Sequence, residues 1–275
     1  MKIWFTEIGE PLPIEDNVRL LRYGILTKAL SLQGHEVVWW TSSFSHAVKK
    51  NVYHEDGDLL IDGVTLRLIK GPGYRRNVSL QRVFHQKHFA RAFLDKAVKY
   101  PLPDIIITPV PTLETAAAVV RFARTHHVPV LVDIRDEWPD EFVNMAPGSL
   151  RWLMKLLLYG LFKRMSFICW NATGIIAMSH RQLQYGLAFA KRSPGNQDGV
   201  FPHGYTTQKL DERKLTEAKH WWKKQGVAEG VFVCCFFGTI GRFFNLETVI
   251  KAAGILSREF KIQFVLCGDG SSLEY

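Results

Sequence analysis

Apolar residues along positions 1–205 form short continuous runs separated by segments with helical spacing. The runs at 105–107 and 130–132 are the clearest, and the segment 113–126 between them has the spacing of one helical face. Near-continuous apolar strands joined by helices are typical of a parallel sheet that is covered on both faces. The pattern therefore predicts an α/β, Rossmann-like domain over these residues.

The same alternation extends over the whole of this first domain. Strands are predicted at 2–6, 37–41, 59–61, 64–69, 104–108, 129–133, 174–178 and 200–204. Helices are predicted at 18–32, 79–100, 113–126, 149–166 and 181–190. Asp62 and Gly63 stand between two of the strands and are typical of a two-residue hairpin turn.

The first predicted helix has apolar positions three and four residues apart, which predicts one buried face. These positions are Val18, Leu21, Ile25, Ala29 and Leu32. Asp16 or Asn17 is expected to cap the start of the helix, and Gly34 to end it. Arg19 and Arg22 fall on the polar side, where each faces either an anion or solvent.

A second strand–helix–strand pattern follows the first domain, with strands at 231–237 and 261–267 and a helix at 246–256. The chain ends at Tyr275, after about half of the roughly 100 residues that such a domain needs. We therefore predict an N-terminal domain at 1–205. Residues 206–275 are expected to be a linker and the first part of a second, C-terminally truncated Rossmann-like domain.

Composition and charge exclude several classes of protein. The chain is 47% apolar and 22% charged, as is usual for soluble globular proteins. Its net charge of +9 comes from scattered basic residues, whereas nucleic-acid-binding proteins usually have a tighter basic stripe or a known module. No nucleic-acid partner is therefore predicted.

The cysteines and the N-terminus indicate the compartment. No pair of cysteines has metal-ligand spacing, so no metal site is predicted, and the cysteines are expected to be reduced thiols, three of them in buried strands. They are Cys169, Cys234, Cys235 and Cys267. The N-terminus enters a strand directly, without the pattern of a signal peptide, so a cytoplasmic location is expected.

The loop after the first strand carries Gly9 and Glu10. It has one glycine where a dinucleotide-binding fingerprint has three, which disfavours NAD, and no cofactor is predicted. Ligands of parallel sheets bind beyond the carboxyl ends of the strands. This loop is therefore either a plain surface loop or a contact for an acceptor substrate.

The segment 133–140 places four acids, Arg135 and Trp138 just past a predicted strand. Crowded carboxylates repel one another unless they are paired or ligated. The segment is either a salt-bridged loop or a polar, sugar-binding edge. We favour the sugar-binding edge, in which Asp136 and Glu137 orient hydroxyl groups and Trp138 shapes the pocket.

The turn that contains Gly238, Gly241 and Arg242 is suited to a phosphate. Small residues let backbone amides approach an anion, the following helix has a positive N-terminus, and arginine supplies a fork for phosphate oxygens. Many strand-to-helix turns contain two glycines, so a plain turn is the alternative. Asn245 is expected to cap the helix.

The predicted helix at 149–166 is rich in leucine and carries Arg151, Lys155 and Lys163. It is either a core helix or a basic amphipathic helix that rests on an anionic membrane surface.

Several of these segments together resemble a known family. The matching segments are 9–13, 22–24, 34–42, 71–77, 133–139 and 201–204. Jointly they are similar to glycosyltransferases of family four, which have the two-domain GT-B architecture. Within it they resemble a bacterial subgroup similar to the N-acetyl-fucosamine transferases of surface-polysaccharide synthesis, the pathway class of lipopolysaccharide, O-antigen and capsule.

The resemblance implies transfer of a sugar from a nucleotide-diphosphate donor to a polyprenyl-linked or saccharide acceptor. The N-terminal domain would hold the acceptor, which assigns acceptor binding to Gly9, Glu10, Arg22 and Trp138. The C-terminal domain would hold the donor. There Arg242 matches the arginine that faces the diphosphate, and the amides of Gly238 and Gly241 would help it stabilise the departing nucleotide.

In this interpretation Asp136 and Glu137 carry the catalytic role by orienting hydroxyl groups of the acceptor or donor. The enzyme would be a hexosyl- or N-acetylaminosugar transferase, peripheral on the inner face of the cell membrane. The two spaced glutamates of the family would lie beyond Tyr275, so the fragment is expected to be inactive. Alternatives are a non-catalytic acceptor-binding remnant, or another nucleotide-sugar enzyme such as an epimerase.

Overall fold

The computed structural model describes residues 1–14, 18–46, 48–77, 79–205, 211–241, 244–270 and 272–273. The chain divides into two compact units, Met1–Thr206 and Thr207–Tyr275.

The first unit alternates strands and helices. Its strands are β1 (Lys2–Thr6), β2 (Glu36–Ser42), β3 (Phe44–Ser45), β4 (Lys50–Asn51), β5 (Gly57–Ile61), β6 (Val64–Ile69), β7 (Ile105–Val110), β8 (Val130–Ile134), β9 (Gly174–Ala177) and β10 (Gly199–Val200). Its helices are α1 (Arg22–Leu32), α2 (Leu80–Ala97), α3 (Leu113–Thr125), α4 (Asp140–Met145), α5 (Arg151–Leu157), α6 (Tyr159–Trp170) and α7 (His180–Ala190).

Eight of these strands form one sheet in the order β10-β9-β8-β7-β1-β2-β6-β5. All neighbours are parallel except β5 and β6, which form the predicted hairpin around Asp62 and Gly63. Both turn residues have positive φ, 51° and 77°, as a type I′ turn requires. The predicted α/β class is confirmed. The strand order reverses between β1 and β7, where sheets of this kind bind their ligands.

The core follows the two-residue period of the central strands. Phe5 and Trp39 face one hydrophobic cluster, whereas Trp4 and Trp40 face the other. On the second face Trp4, Trp40 and Phe93 form an aromatic group with centroids 5.1–6.4 Å apart. Aromatic pairs at these distances add to the free energy that burial contributes. Because strand side chains alternate, this central packing sets the register of the loops that follow β1 and β2.

The first helix differs from its prediction. It starts at Arg22, and its buried residues are Arg22, Tyr23, Gly24 and Thr27. Leu32, expected on the buried face, is 78% exposed. The apolar spacing was misleading because the side of the helix that packs on the core carries Tyr23, Leu26 and Leu30, while Arg22 at its start is buried against a charged partner. The expected caps Asp16 and Asn17 lie outside the described residues, and Gly34 ends the helix with φ +83° as predicted.

The predicted helix at 149–166 is divided between α5 and α6. In α6 the residues Met165, Ile168 and Cys169 are buried, so the core interpretation holds there. In α5 no residue is buried, and Trp152 is 67% exposed. The core interpretation is therefore wrong for α5. Among the described residues, no helix combines the length and apolar content needed to cross a bilayer.

The second unit contains α8 (Glu212–Lys224), β11 (Phe232–Phe237), α9 (Leu246–Leu256) and β12 (Ile262–Cys267). The helix α8 was not predicted, and the two strands pair in parallel. The prediction that β11 is buried was wrong, since Phe232 is 69% exposed and Cys234 and Cys235 are exposed. The described part of this unit has two strands and two helices, too few elements to cover both faces of a sheet.

Candidate functional site

The loops that follow β1 and β8 bring their charged residues together at the carboxyl edge of the sheet. The main-chain N–H of Glu7 donates to the carbonyl oxygen of Trp40 at 3.2 Å. The Nε1 of Trp39 donates to the carbonyl oxygen of Glu7 at 3.0 Å. The backbone of Glu7, just after β1, is therefore held in place by hydrogen bonds to β2.

Glu10 caps the start of α1. Its Oε2 accepts from the N–H groups of Tyr23 at 2.8 Å and Gly24 at 3.3 Å. These are first-turn amides that have no partner within a helix, and a negative charge there is favoured by the helix dipole. The predicted acceptor-binding residue Glu10 therefore has a structural role in the fold.

Gly9 lies between the two glutamates and packs too closely for a side chain. Its N–H donates to Oε1 of Glu7. A Cβ at this position would come 2.9 Å from that same oxygen. The glycine is needed so that the carboxylate of Glu7 can fold back onto its own loop.

Arg22 and Asp133 form a buried, two-pronged ion pair. Nε and Nη2 of Arg22 lie 2.8 and 3.1 Å from the two carboxylate oxygens of Asp133. Nη1 donates to the carbonyl oxygen of Phe201 at 2.6 Å. The prediction that Arg22 lies on the polar side of the helix was wrong, because its guanidinium is directed to a partner 111 residues away. Its role in acceptor binding stays a prediction.

Arg135 lies between Glu7 and Glu10. Its Nη1 is 3.0 Å from Oε2 of Glu7, and its Nη2 is 2.9 Å from Oε1 of Glu10. The second contact is close enough for an ion pair but is not aligned as a hydrogen bond, which leaves Oε1 of Glu10 without a hydrogen-bond donor among the described residues. Burial raises the pKa of Glu7 to about 7, against the attraction of Arg135. The guanidinium of Arg135 thus forms ion pairs with two carboxyl groups that are both buried.

The predicted catalytic acids Asp136 and Glu137 have different environments. Glu137 is occupied by Arg181, whose Nε and Nη2 lie 2.6 and 2.9 Å from its two oxygens. Asp136 makes no hydrogen bond or ion pair within the described ranges. Burial raises its pKa, while the charges of Arg135 and Arg82 oppose that shift. Of the two, Asp136 is the carboxyl group available to a ligand hydroxyl.

Trp138 stands beside Asp136 on the same loop. Its ring packs edge-on against Phe142 with centroids 4.4 Å apart. The guanidinium carbon of Arg82 lies 5.9 Å from the centre of the indole ring. The indole is half-buried, and its role in acceptor binding stays a prediction.

Sequence reasoning pointed to the loop at Glu7 as a place for ligands but gave no role to Glu7 itself. It also gave none to Lys49, Tyr74 and Arg82, whose side chains approach one another beside Trp138. Glu7 follows a predicted strand directly, and this position at a sheet edge was a usable signal. Tyr74 lies in a segment that carried the family resemblance, but nothing in the sequence linked it to Lys49 and Arg82. Their proximity depends on the packing of β3, β4 and α2.

The glycines of the second unit pack against one another. The N–H of Gly238 donates to the carbonyl oxygen of Cys267, and the N–H of Ile240 donates to that of Asp269, at 3.0 and 2.9 Å. A Cβ at Gly268 would collide with the carbonyl oxygen of Gly238. The close approach of two turns thus explains these glycines, and phosphate binding by Gly238 and Gly241 stays a prediction. Arg242 lies outside the described residues.

The helix that follows this turn has its expected cap. Oδ1 of Asn245 accepts from the N–H of Thr248 at 3.4 Å at the start of α9. The prediction for Asn245 is confirmed.

The whole chain has the α/β fold of GT-B glycosyltransferases. No family model and no curated protein matches the sequence. Among solved structures, the chain is similar to HepE of Anabaena in complex with UDP-glucose, at 14% identity and a TM-score of 0.54. That match covers 98% of this chain and 61% of HepE. The chain therefore spans less than two thirds of that protein.

Two further structures show the same likeness. HepE in complex with UDP and glucose aligns at 14% identity and a TM-score of 0.55, over 98% of this chain and 62% of that one. UGT89C1 of Arabidopsis thaliana with UDP-L-rhamnose aligns at 10% identity and a TM-score of 0.51, over 99% of this chain and 70% of that one. At such identities the likeness is one of fold.

Proposed function

We propose that the chain belongs to a glycosyltransferase that moves a sugar from a nucleotide-diphosphate donor to an acceptor. The observation that carries this proposal is the fold likeness over 98% of the chain to HepE, whose structure holds UDP-glucose. The free carboxyl group of Asp136 beside the indole of Trp138, at the sheet edge where such folds bind ligands, supports it.

The first unit would bind the acceptor, and the second unit would bind the donor. In the first unit Asp136 would accept a hydrogen bond from an acceptor hydroxyl, and Trp138 would pack on the sugar ring. In the second, the predicted phosphate turn at 238–242 would face the donor diphosphate. Charge that develops on the departing nucleotide is best stabilised by donors that are already in place, and arginine gives two such donors.

The sequence resemblance makes the proposal more specific. It points to family four, to the subgroup similar to N-acetyl-fucosamine transferases, and to a polyprenyl-linked or saccharide acceptor in bacterial surface-polysaccharide synthesis. A hexose or an N-acetylaminosugar would be the transferred group. No metal or cofactor beyond the donor substrate enters this proposal.

We further propose that α5 rests on an anionic membrane surface on the cytoplasmic side. Trp152, Leu156 and Leu157 are 67%, 65% and 69% exposed. Residues 146–170 contain four basic residues and no acidic one. A helix with an exposed apolar side and basic flanks binds at the boundary between headgroups and acyl chains. A polyprenyl-linked acceptor would be presented at the same boundary.

Because the 275-residue chain is expected to be inactive by itself, the function is tested with the intact protein that contains it, with UDP-glucose or UDP-N-acetylglucosamine as donor and a polyprenyl-diphosphate-linked sugar as acceptor. We expect UDP release that depends on the acceptor, and an acceptor product heavier by one sugar in the mass spectrum. Failure to bind UDP in calorimetry, together with no UDP release for any donor, would contradict a transferase.

The same assay separates the alternatives. Binding of the acceptor without UDP release would support the non-catalytic remnant. Conversion of the nucleotide sugar to its epimer without an acceptor would support an epimerase.

A further inference from the structure

A group of basic and aromatic side chains lies next to Asp136, and of its members only Trp138 has a role in the proposed function. We define it as the basic–aromatic cluster, made of Lys49, Tyr74, Arg82 and Trp138. Nζ of Lys49 is 4.8 Å from the centre of the Tyr74 ring. The guanidinium carbon of Arg82 is 5.9 Å from the rings of both Tyr74 and Trp138. Two cations thus share one aromatic wall.

The two cations of this cluster lack a carboxylate partner within the described ranges. Nζ of Lys49 donates to Oδ1 of Asn77 at 2.5 Å, and Nη1 of Arg82 donates to the carbonyl oxygen of Asn77 at 2.9 Å. Both partners are neutral. Burial, and to a smaller extent the charge of Arg82, lowers the pKa of Lys49. Asp136 is near enough for Arg82 to lower its pKa, but the two make no contact.

Three arginines elsewhere in this unit do have carboxylate partners. Arg22 is paired with Asp133, Arg67 with Asp58, and Arg135 with Glu7, each at 3.0 Å or less. Fully buried charges normally have such partners, whereas Lys49 and Arg82 are partly exposed. Both cations are therefore available to a ligand that carries negative charge.

The start of helix α2 adds to the positive field. Ser79 caps this 18-residue helix by accepting from the N–H of Arg82, and the first turn holds no acidic residue. Anions are favoured at a helix N-terminus and cations are disfavoured there. Arg82 in this turn therefore costs stability in the free protein, a cost that a bound anion would reverse.

The aromatic wall is held rigidly. Tyr74 is buried, and its hydroxyl lies 2.5 Å from Nδ1 of His46. The loop before Tyr74 packs closely on its neighbours, because a Cβ at Gly71 would fall 2.6 Å from His85, and one at Gly73 would fall 2.7 Å from Phe44. The two cations thus flank a ring that is fixed before any ligand arrives.

We propose that the basic–aromatic cluster binds the phosphate group of a phosphate-bearing acceptor and so places a hydroxyl of its sugar at Asp136. This inference rests on the proposed function. Arginine and lysine are the usual partners of phosphate, and the fork of arginine can bind two oxygens at once. A groove of about 400 Å³ adjoins the cluster on the side of Lys49 and Tyr74, which line it together with Arg75, whereas Arg82 and Trp138 are not part of its lining.

The test is calorimetric titration of the 275-residue chain with inorganic pyrophosphate at low ionic strength. The wild type is compared with Lys49→Gln/Arg82→Gln, and with Arg91→Gln as the matched control. Arg91 is an exposed cation on the same helix. We expect at least about tenfold weaker binding in the double variant and unchanged binding in the control, as for loss of a charge-assisted contact. Pyrophosphate bound elsewhere in the chain contributes equally to all three proteins and cancels in the comparison.

A second measurement guards against loss of folding. Without ligand, the double variant should still unfold in one cooperative transition near the melting temperature of the wild type, because the loss of repulsion offsets the loss of the two hydrogen bonds to Asn77. With pyrophosphate, only the wild type and the control should gain stability. Equal binding in wild type and double variant would overturn the proposal, as would an equal loss in the Arg91→Gln control.

Further ligands identify the source of the phosphate. Farnesyl diphosphate and glucose 1-phosphate are titrated into the same three proteins. Tighter binding of farnesyl diphosphate indicates a lipid-linked diphosphate, whereas tighter binding of glucose 1-phosphate indicates a sugar phosphate. Sugar transfer is measured separately, in the intact protein and its Lys49→Gln/Arg82→Gln variant. If pyrophosphate binding depends on Lys49 and Arg82 but no sugar is transferred, the phosphate site stands and the transferase is rejected. If sugar is transferred but pyrophosphate binding does not depend on these two residues, the phosphate site is rejected.

Discussion

Arg22 and Asp133 are joined across the carboxyl edge of the sheet by two contacts of 2.8 and 3.1 Å. The pair links the first turn of α1 to the end of β8. Because both side chains are almost wholly out of solvent, each charge depends on the other. The segment after β9 is tied to the same arginine through the carbonyl oxygen of Phe201.

Replacing Arg22 with methionine should destabilise the first unit by about 3–5 kcal/mol, because Asp133 would be left as an uncompensated buried charge. The free energy of unfolding in urea measures this change. The control is Lys28→Met, which breaks an exposed ion pair with Asp62 and should change that free energy by less than about 1 kcal/mol. Equal effects of the two substitutions would contradict a buried pair.

Glu7 should make stability depend on pH near neutrality. Its pKa of about 7 in the folded chain is above its ordinary value of 4.5. Between pH 4.5 and pH 7 the folded state therefore keeps a proton on Glu7 that the unfolded state has already released. The stability gained by that proton is complete below about pH 4.5 and is lost as pH rises through 7.

The variant Glu7→Gln lacks this proton. Relative to the wild type it should become more stable by on the order of 1–3 kcal/mol between pH 5 and pH 8. Urea unfolding of both proteins at several pH values measures the difference. If the difference is the same at every pH, the carboxyl group of Glu7 titrates normally.

Asp136 and Glu137 should differ in their effect on sugar transfer. Asp136→Asn removes the free carboxylate, and turnover should fall by roughly 10²-fold, the range for loss of one positioned group. Glu137→Gln mainly weakens the contact with Arg181, which is 81% exposed, and should cost less than tenfold. The exposed Asp95→Asn on α2 is the control. A larger loss in Glu137→Gln than in Asp136→Asn would reverse the assignment.

Arg242→Ala should reduce turnover by about 10²-fold or more through loss of the fork at the donor diphosphate, the range reported for single oxyanion donors. The prediction rests on the sequence motif alone. Turnover and the affinity for UDP are measured together, with Arg258→Ala in the same unit as control. Near-normal turnover in Arg242→Ala would remove the donor site from this turn.

Sedimentation with vesicles tests the role of α5. The chain should pellet with phosphatidylglycerol vesicles at low salt and be released at high salt, because the basic residues are screened. Trp152→Ser/Leu156→Ser should abolish pelleting. The control Leu32→Ser/Leu60→Ser removes two leucines that are 78% and 75% exposed in another part of the unit. Equal binding to neutral vesicles, or equal loss in both variants, would argue against α5 as the docking surface.

Local patterns were sufficient for much of the fold. The hairpin at Asp62 and Gly63 and the end of α1 at Gly34 follow from backbone preferences of single residues, and the structure agrees. The apolar runs placed β7 and β8 correctly, because burial on both faces leaves a continuous signal. These features depend on residues close together in the chain.

The remaining features depend on partners far away in the sequence. Arg22 was placed on a polar face because nothing near it indicates a carboxylate 111 residues later. Helix α5 was left open between a core role and a membrane surface because its leucines suit both. The acidic loop at 133–140 was recognised, but only the structure distinguishes Asp136, which is free among the described residues, from Glu137, which is paired with Arg181.

The buried cluster at the sheet edge has an odd number of charges. Glu7, Glu10 and Asp133 are three carboxyl groups, while Arg22 and Arg135 are two guanidinium groups. With a pKa of about 7 for Glu7, this carboxyl group is protonated in only part of the molecules near neutral pH. A ligand that changes the field at this edge will draw or release a fraction of a proton. Its binding enthalpy will then depend on the ionisation heat of the buffer.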